Sequence, residues 1–194
     1  MIMKKVLLVL GLLLPLGLTS SCSSDDENDD IVDSSKQNFE GDDDLLVTPV
    51  DDFEGFAAIS EFFNSELPSN THSKGFFIDV VNNINEDKVR VRDKTCKIIN
   101  NRNELKEIYS GEKSLPTIDF QHYTLVIGVI VMPVMGYQCV KQEITYTPKG
   151  NNSVLNLYLE NIYELNPTVI WPLYFWGLYP KTHLSNIEVN ITML

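Results

Sequence analysis

The run Tyr123–Met132, YTLVIGVIVM, decides the fold because it is almost continuously apolar and rich in Val and Ile. Such residues favour a strand, and the lack of polar alternation is typical of a strand buried on both faces or packed under a helix. We therefore expect this run to lie in the interior of the domain.

Segments around this run predict further strands and two short helices. Strand patterns occur at 95–99, 137–147, 154–160 and 186–193, with Val140, Ile144 and Tyr146 expected on one face of the second. Apolar spacing over 56–67 predicts a helix that Pro68 ends, and Asn101 with Glu104 forms a capping box before Leu105. The sequence thus predicts one α+β domain at 53–194, β-rich over 95–194. We expect an antiparallel sheet, barrel- or sandwich-like, with one or two short helices.

The acidity of the chain belongs to its N-terminal part. The net charge is −12, and residues 22–56 carry thirteen acidic side chains against one lysine. This polar, acidic composition predicts a disordered tether over 22–52. The rest of the chain is nearly neutral and has no basic stripe, which argues against a nucleic-acid partner.

The first 21 residues have the pattern of a secretory signal peptide. Met1–Lys5 is short and basic, Val6–Leu18 is apolar, and Thr19–Ser21 are small. With Cys22, the junction resembles the lipobox of bacterial lipoproteins. The resemblance implies cleavage before Cys22 and acylation of its thiol, and two acyl chains anchor a protein stably to a membrane.

The run Ser23–Glu27, SSDDE, resembles the acidic export signal of surface lipoproteins in some Gram-negative bacteria. It implies a lipid-anchored protein of the outer membrane, exposed on the cell surface. The alternative is a plain acidic spacer on a protein that faces the periplasm.

A second resemblance covers the C-terminal half of the chain. Ile118-Asp119-Phe120, a long apolar strand, Pro133 and Gly136-Tyr137 resemble the C-terminal domain of the protease-complex (PrcB-like) protein family. Members of that family are exported companions of proteases. The resemblance implies a protease or other envelope partner and no catalytic residue.

If Cys22 is acylated, Cys96 and Cys139 form an even pair in predicted strands. Outside the cytoplasm they are candidates for a disulfide, and two buried free thiols are the alternative.

Signals for catalysis and for metals or other cofactors are poor. The three histidines, His72, His122 and His183, lack metal-ligand spacing, and no nucleophile or phosphate-binding motif occurs. Asp119 is expected in a turn or cap, and Asp79 and Glu160 on solvent faces of strands. We therefore predict no enzyme activity, no metal and no cofactor; a hydrolase whose site the sequence does not reveal is the alternative.

The aromatic segment 170–181, IWPLYFWGLYPK, is the most unusual stretch of the domain. Two prolines and a glycine predict that it is not one regular strand. Its rings either close the core or form a binding surface. The binding candidates are Trp171, Tyr174, Phe175, Trp176 and Tyr179.

These features predict a membrane-anchored lipoprotein that acts as a binding module for a protein partner. A carbohydrate-binding lipoprotein that uses the aromatic segment is the alternative.

Overall fold

The computed structural model describes residues 44–68, 72–78, 93–134, 136–147, 152–162, 171–181, 184 and 186–194. Several predictions fall outside these ranges. They concern the signal peptide, Cys22, the tether up to residue 43, Asp79, His183 and most of the turn at 148–152.

The described residues form two helices and two sheets. The helices are α1 (Phe56–Glu66) and α2 (Arg102–Glu107). The strands are β1 (Leu45–Val47), β2 (Lys94–Ile99), β3 (Tyr123–Met132), β4 (Tyr137–Thr147), β5 (Asn152–Asn161), β6 (Trp171–Pro180) and β7 (Glu188–Met193). One sheet has the order β1-β4-β5-β7 and the other β2-β3-β6. All strand pairs are antiparallel except β5 with β7, which is parallel. The predicted α+β single domain is confirmed, and its sheets are not closed into a barrel.

Strand β3 lies at the centre of a three-layer arrangement. Leu125, Ile127 and Val129 pack in one core cluster with residues of both helices. Val126 and Ile130, on the other face of the strand, pack in a second cluster with residues of β4, β5 and β7. The three-stranded sheet is therefore the middle layer, which explains why the sequence of β3 has no polar alternation.

The prediction that the aromatic segment is not one regular strand is wrong. β6 pairs with β3 in unbroken register from Trp171 to Pro180. The carbonyls of Trp176 and Leu178 accept hydrogen bonds from outside this pair, so the backbone groups of even-numbered residues point away from β3. Pro172 and Pro180 have the same parity. Their missing N–H groups therefore face the edge of the sheet and cost no ladder hydrogen bond.

The prediction that Val140 lies on the same face of β4 as Ile144 and Tyr146 is wrong. The register with β5 shifts between Cys139 and Lys141, so a β-bulge removes Val140 from the alternation. Val140 is 43% exposed, whereas Ile144 is buried between the sheets and Tyr146 packs against the same core. The bulge lets Tyr137 and Cys139 pack against that core as well.

Both predicted helices are confirmed. In α1, Ile59 and Phe63 are buried on the face that the apolar spacing predicts. Before α2, the Asn101 side chain accepts hydrogen bonds from the backbone N–H groups of Asn103 and Glu104, both at 3.0 Å. The Glu104 carboxylate in turn accepts from the N–H of Asn100 at 2.6 Å, which completes a variant of the capping box.

The folded domain begins before residue 53, where the sequence placed its boundary. β1 pairs with β4 at Ile144–Tyr146, and Val50 donates its N–H to the Leu178 carbonyl at 2.7 Å. In this segment Val47 packs against the core between the sheets, and Leu45 is half-buried on the same strand.

Candidate functional site

A cleft of about 650 Å³ opens between the two sheets, and it is the candidate functional site. One wall is β6 from Leu173 to Leu178, which is an edge strand of its sheet. The facing wall is β4 from Gln138 to Gln142, a part of that strand that β1 does not pair. The cleft thus lies where two strand edges face each other, a place at which backbone hydrogen-bonding groups are left over.

The β6 wall carries such backbone groups. The Trp176 carbonyl accepts a hydrogen bond from the Gln142 side-chain Nε2 at 2.6 Å, and the Leu178 carbonyl accepts one from the backbone N–H of Val50. The backbone N–H groups of Tyr174 and Trp176 and the Tyr174 carbonyl have no hydrogen-bond partner among the described residues. Because Tyr174 and Trp176 are even-numbered residues of β6, these backbone groups point away from β3 and toward the cleft.

The β4 wall adds polar side chains around the bulge. Gln142 bridges the cleft to Trp176, and its Oε1 is buried without a hydrogen-bond partner among the described residues. Lys141 is exposed at the rim, and Val140 presents an apolar surface beside it. On the rim formed by residues 48–51, Asp51 supplies a negative charge. Asp51 and Lys141 are the charged side chains among the described residues that line the cleft, and Lys141 is itself paired with Glu143 at 2.7 Å.

The end of the cleft near α1 is apolar. Phe56 and Leu67 line it together with Trp176, which is half-buried. The Trp176 ring stacks on Phe63 with centroids 4.7 Å apart, and its centroid lies 6.1 Å from that of Phe56. The indole is therefore held rigidly while part of it remains accessible.

The five aromatic candidates do not form a single surface. Phe175 and Tyr179 are buried between the two sheets, whereas Tyr174 and Trp176 lie on the opposite face of β6, toward the helices. The Tyr174 hydroxyl accepts a hydrogen bond from the backbone N–H of Ser73 at 3.0 Å. Trp171 is half-buried, with its ring centroid 6.3 Å from that of His72. Three of the five rings are thus core residues.

Cys96 and Cys139 are not joined by a disulfide in this structure, and both pack against the core between the sheets. They come from opposite sheets, Cys96 from β2 and Cys139 from β4, and Cys139 also lines the cleft. Burial raises the pKa of Cys96 to about 12 and that of Cys139 to about 11. The predicted disulfide between them stays a prediction.

A buried tyrosine lies close to both thiols. Tyr179 is fully buried, and its hydroxyl has no hydrogen-bond partner among the described residues. Burial raises its pKa, and the proximity of Cys139 and Cys96 adds to this shift. Together with Gln142, these groups make a polar centre inside an otherwise apolar core.

The remaining candidates lie away from the cleft. Asp119 is exposed in a turn, as predicted, and accepts hydrogen bonds from the N–H of Gln121 at 3.0 Å and from His122 Nδ1, whose distance to Asp119 Oδ2 is 2.7 Å. The His122 contact, followed by the Gln121 bond, lowers the pKa of Asp119. Glu160 is exposed on β5, also as predicted. No group of three His, Cys, Asp or Glu side chains in the described part of the chain could hold a metal ion.

The outer face of the four-stranded sheet carries a charged cluster that sequence reasoning missed. Glu143 is buried, and its carboxylate lies 2.7 Å from Lys141 Nζ and accepts from the Tyr158 hydroxyl at 2.7 Å. The contact with Lys141, and to a smaller extent the hydrogen bond from Tyr158, lowers the pKa of Glu143. The cluster holds Lys141 beside the bulge and so fixes the rim of the cleft. It depends on cross-strand pairing across a bulge, which no local pattern reveals.

Comparison of the chain with protein-family models, curated proteins and solved structures gave no match. No helix within the described ranges is long and apolar enough to cross a membrane.

Proposed function

We propose that this protein is a lipid-anchored lipoprotein of the bacterial envelope whose domain binds another protein without catalysing a reaction. The observation that carries the proposal is the cleft between the unpaired edges of β6 and β4. An edge strand is a template for pairing with another chain, and proteins usually cover or charge such an edge when it has no partner.

The composition of the cleft supports a protein partner. It combines a partly accessible tryptophan, apolar side chains such as Val140 and Leu67, and polar groups at the rim. Protein interfaces have this make-up, with an aromatic or apolar centre and a polar rim. An envelope protease or another envelope protein fits the resemblances drawn from the sequence.

The carbohydrate alternative has less support. A sugar platform needs aromatic rings on one accessible surface, but Tyr174, Phe175 and Tyr179 are buried and lie on both faces of β6. Only Trp171 and Trp176 remain half-accessible. We therefore favour the protein partner.

The thiols support the non-enzymatic proposal. A cysteine nucleophile reacts as the thiolate, and burial raises the pKa of Cys139, the thiol at the cleft, to about 11. Very little of this thiol is ionised at neutral pH. The exposed Asp119–His122 pair lies outside the residues that line the cleft.

Anchoring and surface exposure are tested on the full chain. We expect the N-terminal peptide from membranes to carry the mass of acyl groups on Cys22, and the Cys22→Ala variant to leave the membrane fraction. Protease treatment of intact cells should remove the domain; complete protection would place it on the periplasmic side.

Partner binding is tested with a photo-cross-linking amino acid at Val140, which lines the cleft and is 43% exposed. The matched control carries the same amino acid at Met193, which is 41% exposed on β7 and does not line the cleft. We expect a discrete protein adduct at Val140 alone in intact cells. Equal adducts at both positions, or none at Val140, would refute a partner at the cleft.

A further inference from the structure

We propose that the cleft binds its partner as an extended polypeptide segment, which adds as a strand to the edge of β6. This inference rests on the proposed function and specifies how the partner is recognised. The ligand class is a backbone in β conformation rather than a folded surface, a sugar or an anion.

The first support is the direction of the backbone groups. Trp176 and Leu178 direct their carbonyls away from β3, so Tyr174, with the same parity, directs its N–H and carbonyl the same way. The Tyr174 N–H and carbonyl and the Trp176 N–H have no hydrogen-bond partner among the described residues. Donors and acceptors that alternate along one edge match an extended chain, because its own groups repeat with the same period.

The second support is that the chain already uses this edge once. The segment after β1 crosses from one sheet to the other and donates the Val50 N–H to the Leu178 carbonyl at 2.7 Å. A second hydrogen bond to this edge comes from a side chain: the Gln142 amide donates to the Trp176 carbonyl at 2.6 Å. The carbonyls of Leu178 and Trp176 therefore both accept N–H donors. The carbonyls of Tyr174 and Pro172 are the next ones that point to the same side of β6.

The third support is the length of the available edge. Pro172 has no N–H, so it limits donation at one end, and Val50 occupies the other end at Leu178. The open part runs from Pro172 to Trp176, which matches a partner strand of about five residues at about 3.3 Å per residue. This is the size of a linear motif within a longer chain.

Side chains around the edge suit the same ligand. Gln142 lines the edge, and its side-chain amide stays hydrogen-bonded to the Trp176 carbonyl at 2.6 Å. The accessible part of Trp176 and the exposed Val140 offer apolar contacts on either side. Lys141 is already paired with the Glu143 carboxylate at 2.7 Å, so its charge offers little to an anionic ligand.

The experiment compares two variants of the full chain, Trp176→Pro and Trp176→Ala. Both lose the indole ring, but only the proline variant also loses the backbone N–H at the edge. Proline is compatible with this parity, as Pro172 and Pro180 demonstrate. Random heptapeptides displayed on phage are selected against the wild-type protein, and the enriched peptides are titrated against both variants.

We expect enriched peptides to bind the Trp176→Pro variant about fivefold more weakly than the Trp176→Ala variant, the loss expected for one backbone hydrogen bond. Equal affinities would overturn the strand-addition proposal. Failure to enrich any peptide above a selection without protein would overturn it too. In either case the Val140 cross-linking result decides separately whether a protein partner exists.

A second measurement covers the case in which the proline variant does not fold. Hydrogen exchange is followed by mass spectrometry on wild-type protein with and without an enriched peptide. We expect the segment 171–178 to exchange at least tenfold more slowly with peptide, because the amides of Tyr174 and Trp176 become paired. Unchanged exchange in this segment at saturating peptide would overturn the proposal.

Discussion

Replacing Gly128 with alanine should destabilise the domain because the middle layer has no room for a methyl group at that point. A Cβ atom at residue 128 would lie 2.2 Å from Cζ of Phe175 and 2.3 Å from the Thr95 carbonyl oxygen. The carbonyl belongs to β2, which pairs with β3 along its whole length, so it cannot withdraw without breaking the ladder. The side chain of Phe175 is itself buried between the sheets.

The cost follows from these contacts. Overpacking a close-packed core costs about 1–3 kcal/mol, and a clash with backbone belongs at the upper end. Replacing glycine in a strand returns about 0.5–1 kcal/mol of chain entropy. We therefore expect Gly128→Ala to lower the free energy of unfolding by about 2 kcal/mol. For a domain of roughly 150 residues, that lowers Tm by about 4–8 °C.

The assay is urea and thermal unfolding followed by circular dichroism, with Gly177→Ala as the matched control. A Cβ at residue 177 would lie 3.0 Å from the side-chain Nε2 of Gln142 and 3.1 Å from Cε2 of Tyr179, both side-chain atoms and both farther away than the contacts at residue 128. We expect that change to cost less than about 1 kcal/mol. The double variant Gly128→Ala/Phe175→Leu should lose less unfolding free energy than the sum of the losses of the two single variants. A Gly128→Ala variant as stable as wild type would refute the three-layer packing around β3.

Three further predictions concern other parts of the domain. Asn101→Ala should lower the free energy of unfolding by about 1 kcal/mol, measured in urea, because two N–H groups at the start of α2 lose their acceptor; an unchanged value would contradict the cap. The lowered pKa of Glu143 beside Lys141 stabilises the fold above the carboxyl's unfolded pKa, and this contribution is lost as the pH falls through its folded pKa; Glu143→Gln should therefore flatten the loss of stability in acid, and equal slopes would contradict this. The predicted disulfide requires Cys96 and Cys139 to resist alkylation in denatured, unreduced protein; two alkylated thiols by mass spectrometry would rule it out.

The sequence predicts the parts of the fold that depend on local patterns. The apolar run of β3 indicates burial on both faces, and the capping box at Asn101 marks the start of α2. Both signals lie within a few residues of the feature they specify, so tertiary contacts do not need to be known.

The errors arise where tertiary pairing decides the outcome. Pro172 and Pro180 argue against a regular strand only if their missing N–H groups would have faced a neighbour. They face the edge because β6 pairs with β3 on one side alone, and this follows from sheet order. The bulge at Val140 likewise depends on the register with β5.

The candidate site could not be predicted for the same reason. Trp176 is recognisable in the sequence, but the cleft exists because β1 pairs with only three residues of β4 and leaves the rest of that edge open. The partners Gln142 and Val50 carry no local signal. Which edges remain unpaired is a property of the whole topology.

The chain alternates between the two sheets, and this makes the domain indivisible. The four-stranded sheet is built from β1, β4, β5 and β7, whereas β2, β3 and β6 come from between them along the chain. Any continuous piece of the chain that contains every strand of one sheet also contains strands of the other. Folding should therefore be cooperative across both sheets, and we expect it to be complete only once β7 is in place beside β5.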